Sequence, residues 1–252
     1  MRKVKKVMAL ALSAALIIGS LAGCGSKADN GGSAPKASDT LIYAQGSEPR
    51  GLDPALVDDG ESAKVMSNIY EGLLKYDKES TKVLPSLAKS WDVSTDGLSY
   101  TFHLQEGVKF HDGTDFNAEA VKVNIDRQLP PQVTTDMSYA SFVYGSVKNV
   151  EVVDNNTVKI NLKEPSTPLL SNLAMIMAAP IISPKALKDH NNNVNQTPVG
   201  TGPYKFVKWE KDQNIVLERN DSYWGTKANI KNVIFKFIKD NSARVVALNN
   251  GE

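Results

Sequence analysis

Only one cysteine occurs in the 252-residue chain, so no intrachain disulfide is possible and the fold must hold by packing alone. Histidine is almost as scarce. His103, His111 and His190 show neither H-x-x-x-H nor Cys/His spacing, which argues against a dedicated metal site. Neither sign of charge dominates: 29 basic and 28 acidic residues give a formal +1. Nothing in that balance suggests a nucleic-acid partner or a basic surface for acidic lipid. No apolar run reaches the roughly 20 residues a membrane-spanning helix needs. G-x-S-x-G and G-x-x-x-x-G-K-[ST] are both missing, and Gly200-Thr201-Gly202 fails the dinucleotide pattern because Lys205 stands where the third glycine belongs. The expectation is a protein that is not an enzyme, with no catalytic residue, no metal and no cofactor.

What is present begins at the N-terminus. Arg2, Lys3, Lys5 and Lys6 precede an apolar run from Val7 to Ser20, which reads as the core of an export signal. Without those four basic residues the rest of the chain carries about −3, unremarkable for solubility. The run ends in Leu21-Ala22-Gly23-Cys24, which looks like a bacterial lipobox, with residues 1–23 as lipoprotein signal peptide and Cys24 as the lipidated new N-terminus. Acyl chains contribute about 0.8 kcal/mol per buried CH₂, and two or more give stable anchoring. The alternative is an ordinary export signal with a stray thiol. Residues 24–39 are small, polar and Gly/Ser-rich, an expected flexible tether; Gly25 to Ser38 spans roughly 20 Å root-mean-square.

From residue 40 onward, alternating and helical patterns interleave. Thr40–Gln45, "SYTFHLQ", "EGVKFHDG" and "NVIFKFI" read as strands. "VKNVEVVDNNTVKINL" is a hairpin turning at Asp154-Asn155-Asn156, and "YKFVKWEKDQNIVLER" is another turning near Asp212. Glu61–Leu74 carries a helical apolar stripe, Asn117 is placed to cap "AEAVKVNIDRQL" ahead of Pro130-Pro131, and residues 168–177 read as a buried helix. A helix over "ARVVALNN", capped by Asn241 or Ser242, ends at Gly251. Mixed elements in this order predict α/β (mixed α+β) with more than one sheet.

Three stretches, Gly46–Asp77, Leu87–Arg127 and Pro198–Gly225, together resemble the family 5 extracellular solute-binding proteins of bacterial ABC importers, which serve oligopeptides, dipeptides and nickel. The resemblance runs from residue 40 to the end. It implies a lobe of the type II periplasmic-binding-protein kind with a β-rich accessory subdomain: residues 40–72 and 165–252 as the first large lobe, incomplete, and 73–164 as the subdomain. Members are roughly twice as long, so it also implies a C-terminally truncated member without its second large lobe, and an exposed flank with unpaired strand edges. The implied function is capture of peptides outside the cell and delivery to an ABC permease and ATPase complex, by a monomer moored to the outer face of the cytoplasmic membrane. A nickel or metal-chelate receptor, or a surface lipoprotein used as adhesin or sensor, are the alternatives.

By resemblance, the loop after Leu52-Asp53-Pro54 reaches the ligand, which makes Asp58, Asp59 and Gly60 candidates. Two adjacent acids suit a ligand ammonium group; helix capping ahead of Glu61 explains them equally well. Gly200, Thr201 and Gly202 are further candidates, the glycines serving a close backbone approach or a positive φ. Tyr139 is a weaker one. Trp91, Trp209 and Trp224 read as packing anchors.

Overall fold

The computed structural model describes residues 39–251. In chain order the elements are β1 (Thr40–Gln45), α1 (Gly60–Ile69), β2 (Leu74–Tyr76), β3 (Val83–Pro85), β4 (Ala88–Val93), β5 (Ser99–Leu104), α2 (Ala118–Asp126) and α3 (Ala140–Tyr144). There follow β6 (Val147–Asp154), β7 (Thr157–Leu162), α4 (Leu169–Leu173), α5 (Pro184–Asp189), β8 (Tyr204–Glu210), β9 (Asn214–Arg219), β10 (Asn232–Phe237) and α6 (Asn241–Asn250).

Two four-stranded sheets organise them. In the first the order is β1-β10-β9-β8, with β1 parallel to β10 and the other pairs antiparallel. In the second the order is β4-β5-β7-β6, antiparallel throughout. A short ribbon pairs β2 with β3. The mixed α/β class expected from the sequence is what the chain adopts.

Local chemistry accounts for most boundaries. On β5, Tyr100, Phe102 and Leu104 face inward while Thr101 and His103 are only partly covered, as period-2 alternation requires. The β6–β7 turn is closed by the Asp154 carboxylate accepting from the Asn156 amide at 2.8 Å. Asp212 adopts φ 60° in the β8–β9 turn. Asn117 caps α2 by accepting from Ala120 N at 3.0 Å, and Gly251 takes the left-handed conformation past α6. The cap of α6 is Asp240, one residue before the expected pair.

Three expectations are corrected. The helix read over Glu61–Leu74 stops at Ile69, because Tyr70 turns extended and its buried hydroxyl donates to Leu52 O at 2.9 Å. The helix read over 168–177 is only the five residues of α4. "EGVKFHDG" forms no strand but a loop between Gly107 and Gly113, both at positive φ, with one isolated bridge from Lys109 to Asp115.

Apolar side chains gather in two cores. One joins β5 and β7 to α2 and α4 through Phe102, Ile160, Val121, Ile125 and Leu169. The other packs α1 on the first sheet through Met66, Ile69, Ile215, Leu217 and Phe235. Each fully buried aliphatic or aromatic side chain contributes roughly 1.5–3 kcal/mol. Val199 packs against both cores. Polar bonds cross between them too: Asn124 donates to Ile182 O at 2.7 Å and accepts from Ile182 N at 3.0 Å. Together the two cores make one compact unit.

One face is left bare. No strand pairs with the outer edge of β1 among the described residues, and Leu41, Ile42 and Tyr43 are 50%, 42% and 43% exposed. Beside them runs a groove of about 450 Å³ against Arg244, Val245 and Leu248 of α6. No helix among the described residues is long and apolar enough to cross a membrane.

Candidate ligand-binding site

The loop from β1 to α1 is built around Asp53, which is fully buried. Its carboxylate meets Arg127 Nη2 at 2.8 and 2.9 Å and accepts from Ala55 N and Val194 N. Asn195 holds Asp53 N through its side chain and Leu52 N through its carbonyl. Leu52-Asp53-Pro54 is thereby pinned, and the chain emerges at Asp58-Asp59-Gly60. Asp58 is exposed and paired with Arg50 at 2.7 Å. Asp59 caps α1, accepting from Ser62 N at 2.9 Å and Ser62 Oγ at 2.7 Å. Gly60 opens the helix with open space where a Cβ would point. At the same end of the first sheet, Glu48 accepts from Trp209 Nε1 at 2.6 Å and Asp212 N at 3.0 Å.

Gly200-Thr201-Gly202 lies against the C-terminal end of α1. A Cβ on Gly200 would stand 2.1 Å from Ile69 O, and one on Gly202 2.7 Å from the same carbonyl group. Neither glycine has a positive φ among those found, so close approach, not left-handed backbone, is what requires them. Gly202 N donates to Ile69 O at 2.9 Å. His111 reads the loop from the other side: its Nε2 donates to Gly202 O at 2.9 Å and its Nδ1 faces Gly200 N at 3.4 Å. That pairing selects the neutral imidazole with the proton on Nε2, and burial lowers the His111 pKa to about 4.

Thr201 is fully buried and donates to Glu71 Oε2 at 2.8 Å. The same carboxylate takes Trp224 Nε1 at 2.7 Å on Oε2 and the Tyr223 hydroxyl at 2.7 Å on Oε1. Burial pushes the Glu71 carboxyl up, against the three hydrogen bonds that favour its charged form. Tyr223 is raised as well, by burial and by the neighbouring Glu71 charge. Glu71 also stands in the wall of a groove of about 600 Å³ that includes Leu74, Lys75, Lys78, Ile176 and Tyr223.

Tyr139 sits elsewhere, at the N-cap of α3, its hydroxyl 3.8 Å from Met177 Sδ. No hydrogen bond ties it to Asp58, Asp59 or the Gly200–Gly202 loop. Cys24 lies outside the described residues. Among the described residues no group of three or more His, Cys, Asp and Glu could hold a metal ion.

Residues 82–252 match the family described as "Bacterial extracellular solute-binding proteins, family 5 Middle". The chain belongs to that family. Among curated relatives, the glutathione-binding protein GsiB of Pectobacterium atrosepticum is 39% identical over 213 residues, covering 84% of this chain and 40% of its own. Among solved structures, the ABC transporter-associated periplasmic binding protein DppA of Helicobacter pylori, in complex with peptide STSA, aligns with a TM-score of 0.75. It is 36% identical, over 84% of this chain and 45% of its own. NikZ of Campylobacter jejuni, in complex with Ni(L-His), gives a TM-score of 0.75 at 33% identity, over 86% and 42%. The chain therefore spans about two-fifths of the length of the curated relatives it matches.

Two side chains with dense polar contacts, Glu71 and Arg127, carry no site signal in the sequence. Glu71 was hidden inside an apolar helical stripe; a carboxylate in "NIYEGLL" is the signal that marks it. Asp53 and Arg127 are 74 residues apart, with no periodicity to link them. His111 and Trp224 are internal hydrogen-bond donors.

Proposed function

We propose that this chain is the ligand-capturing part of an ABC importer, taking up peptides outside the cell and handing them to a membrane permease driven by an ATPase. It binds and releases; it carries no catalysis and no cofactor. The similarity to DppA, solved in complex with peptide STSA, carries the reading. In this reading residues 40–72 and 165–252 form one large lobe and 73–164 its accessory subdomain. Asp58, Asp59 and Gly60 are the loop offered to the ligand, Tyr139 contributes from the subdomain, and Gly200, Thr201 and Gly202 line the cleft. A diacylated Cys24 moors a monomer to the outer face of the cytoplasmic membrane, with residues 24–39 as tether.

The similarity to NikZ supports a second reading, a receptor for a nickel chelate. Deleting the gene and following uptake of a labelled tetrapeptide and of nickel separates the two. Loss of peptide uptake, restored by the gene but not by its Cys24→Ala variant, is the expected result. Unchanged peptide uptake overturns the first reading, and loss of nickel uptake alone establishes the second. Failure of labelled palmitate to enter the polypeptide overturns the anchor.

A further inference from the structure

A cleft of about 370 Å³ opens between the segment that follows α2 and the paired ends of β6 and β7. That volume falls within the roughly 300–1,000 Å³ typical of small-molecule sites. Lys163 N donates to Ser146 O at 2.8 Å, which extends the β6–β7 ladder beyond the Val147–Leu162 pair and brings Lys148 and Lys163 to the same cleft. Lys163 Nζ donates to a neutral carbonyl, Gly145 O, at 3.2 Å. Neither lysine forms an ion pair among the described residues.

Asp126 is the one carboxylate among the described residues that line the cleft. Lys122 already answers its charge, with Nζ 2.5 Å from Oδ2. The walls therefore carry two ammonium groups in excess, and cations gathered in a concave surface concentrate anions there. Gln132 and Asn149 add carboxamide N–H donors, while Leu129, Pro130 and Val147 supply apolar surface. Two positive charges with further donors suit a phosphomonoester better than a singly charged carboxylate or sulfate ester. A phosphomonoester carries about −1.5 to −2 charges at neutral pH and three strong acceptor oxygens. Lysine binds phosphate as a point charge, without the planar fork that arginine offers. The apolar surface gives contact to the organic part of such an ester and nothing to bare phosphate.

We propose that this cleft binds a small soluble phosphomonoester, its phosphate on Lys148 and Lys163 and its organic group over Leu129 and Val147. Asp58, Asp59, Gly60, Tyr139 and the Gly200–Gly202 loop are not in its walls, so the inference stands apart from the peptide-capture reading.

The test titrates the full chain with phenyl phosphate, phenyl sulfate and inorganic phosphate, followed by amide resonances. Phenyl phosphate is expected to shift the resonances of residues 129–132, 147–149 and 163 to saturation. Phenyl sulfate, of like shape with a single charge, and inorganic phosphate, without the ring, should each bind about tenfold more weakly. Lys148→Ala with Lys163→Ala, both at exposed positions, should weaken phenyl phosphate by at least about tenfold. Lys227→Ala with Lys231→Ala, exposed lysines outside the cleft, should leave its binding unchanged. Equal loss in the two lysine pairs, equal binding of the sulfate and phosphate esters, or no saturation by about 10 mM phenyl phosphate overturns the proposal. Inorganic phosphate binding as tightly as the ester also overturns it. Sedimentation with phosphatidylcholine vesicles containing phosphatidic acid, lost in the Lys148 and Lys163 double variant and unaccompanied by binding of phenyl phosphate, overturns the soluble ligand in favour of a lipid headgroup.

Discussion

Arg127, at the end of α2, places one guanidinium nitrogen 2.8 and 2.9 Å from the two carboxylate oxygens of Asp53, in the loop after β1. Both side chains are buried, at 5% and 0% exposure. The pair joins two segments that belong to different cores. Removing one partner strands the other charge in the interior. Asp53→Asn and Arg127→Met should each cost about 3–5 kcal/mol in urea unfolding. The double variant should cost less than the two summed, because neither residual charge then remains unpaired.

Gly200 and Gly60 make opposite predictions. Gly200→Ala forces a methyl group toward Ile69 O and should destabilise on the order of 3 kcal/mol. Gly60→Ala meets nothing within 4 Å and should stabilise by about 0.5 kcal/mol through reduced freedom of the unfolded chain. Thermal melts of the two variants check both signs.

His111 sets a pH dependence with a definite sense. Folding keeps it neutral down to about pH 4, whereas the unfolded chain takes up the proton near 6.5. The His111 contribution to stability is therefore complete above pH 6.5 and falls as pH drops toward 4, by on the order of 3 kcal/mol. Glu71 acts oppositely: its raised folded pKa means stability is lost as pH rises above 4.5. Urea midpoints of His111→Asn between pH 4 and 6.5 should lack the fall seen in the parent; an unchanged profile rules the assignment out.

The bare edge of β1 should drive aggregation. Leu41, Ile42 and Tyr43 lie on an uncharged apolar strand whose outer edge pairs with no strand among the described residues. Ile42→Lys should lower light scattering on heating while changing stability by no more than about 0.5 kcal/mol.

The two hairpins and the longer alternating strands are legible in the sequence because their signals are local, whereas β2, β3 and β4 go unread and "EGVKFHDG" is read as a strand it does not form. Thr40–Gln45 and the Asp154–Asn156 turn came out as read, since alternation and turn chemistry act within a few residues. Helix ends were not. Tyr70 continues the apolar periodicity of α1, yet a hydroxyl bond to Leu52 pulls it out of the helix. The capping reading of Asp59 was available beforehand, and its bonds to Ser62 give that role a geometry. The Glu71 cluster joins residues 130 to 153 positions apart, a relationship no sequence window contains.

The side chains that cross between the two cores, Asp53 with Arg127, Asn124 with Ile182 and His111 with Gly202, have a mechanical corollary. They tie the two cores together at three places, so a rotation of one core against the other has to break them. Fluorophores on the exposed Lys148 and Lys227 would report a constant separation whether or not solute is bound. Such a pair would serve as a fixed ruler for any other distance measured in the protein.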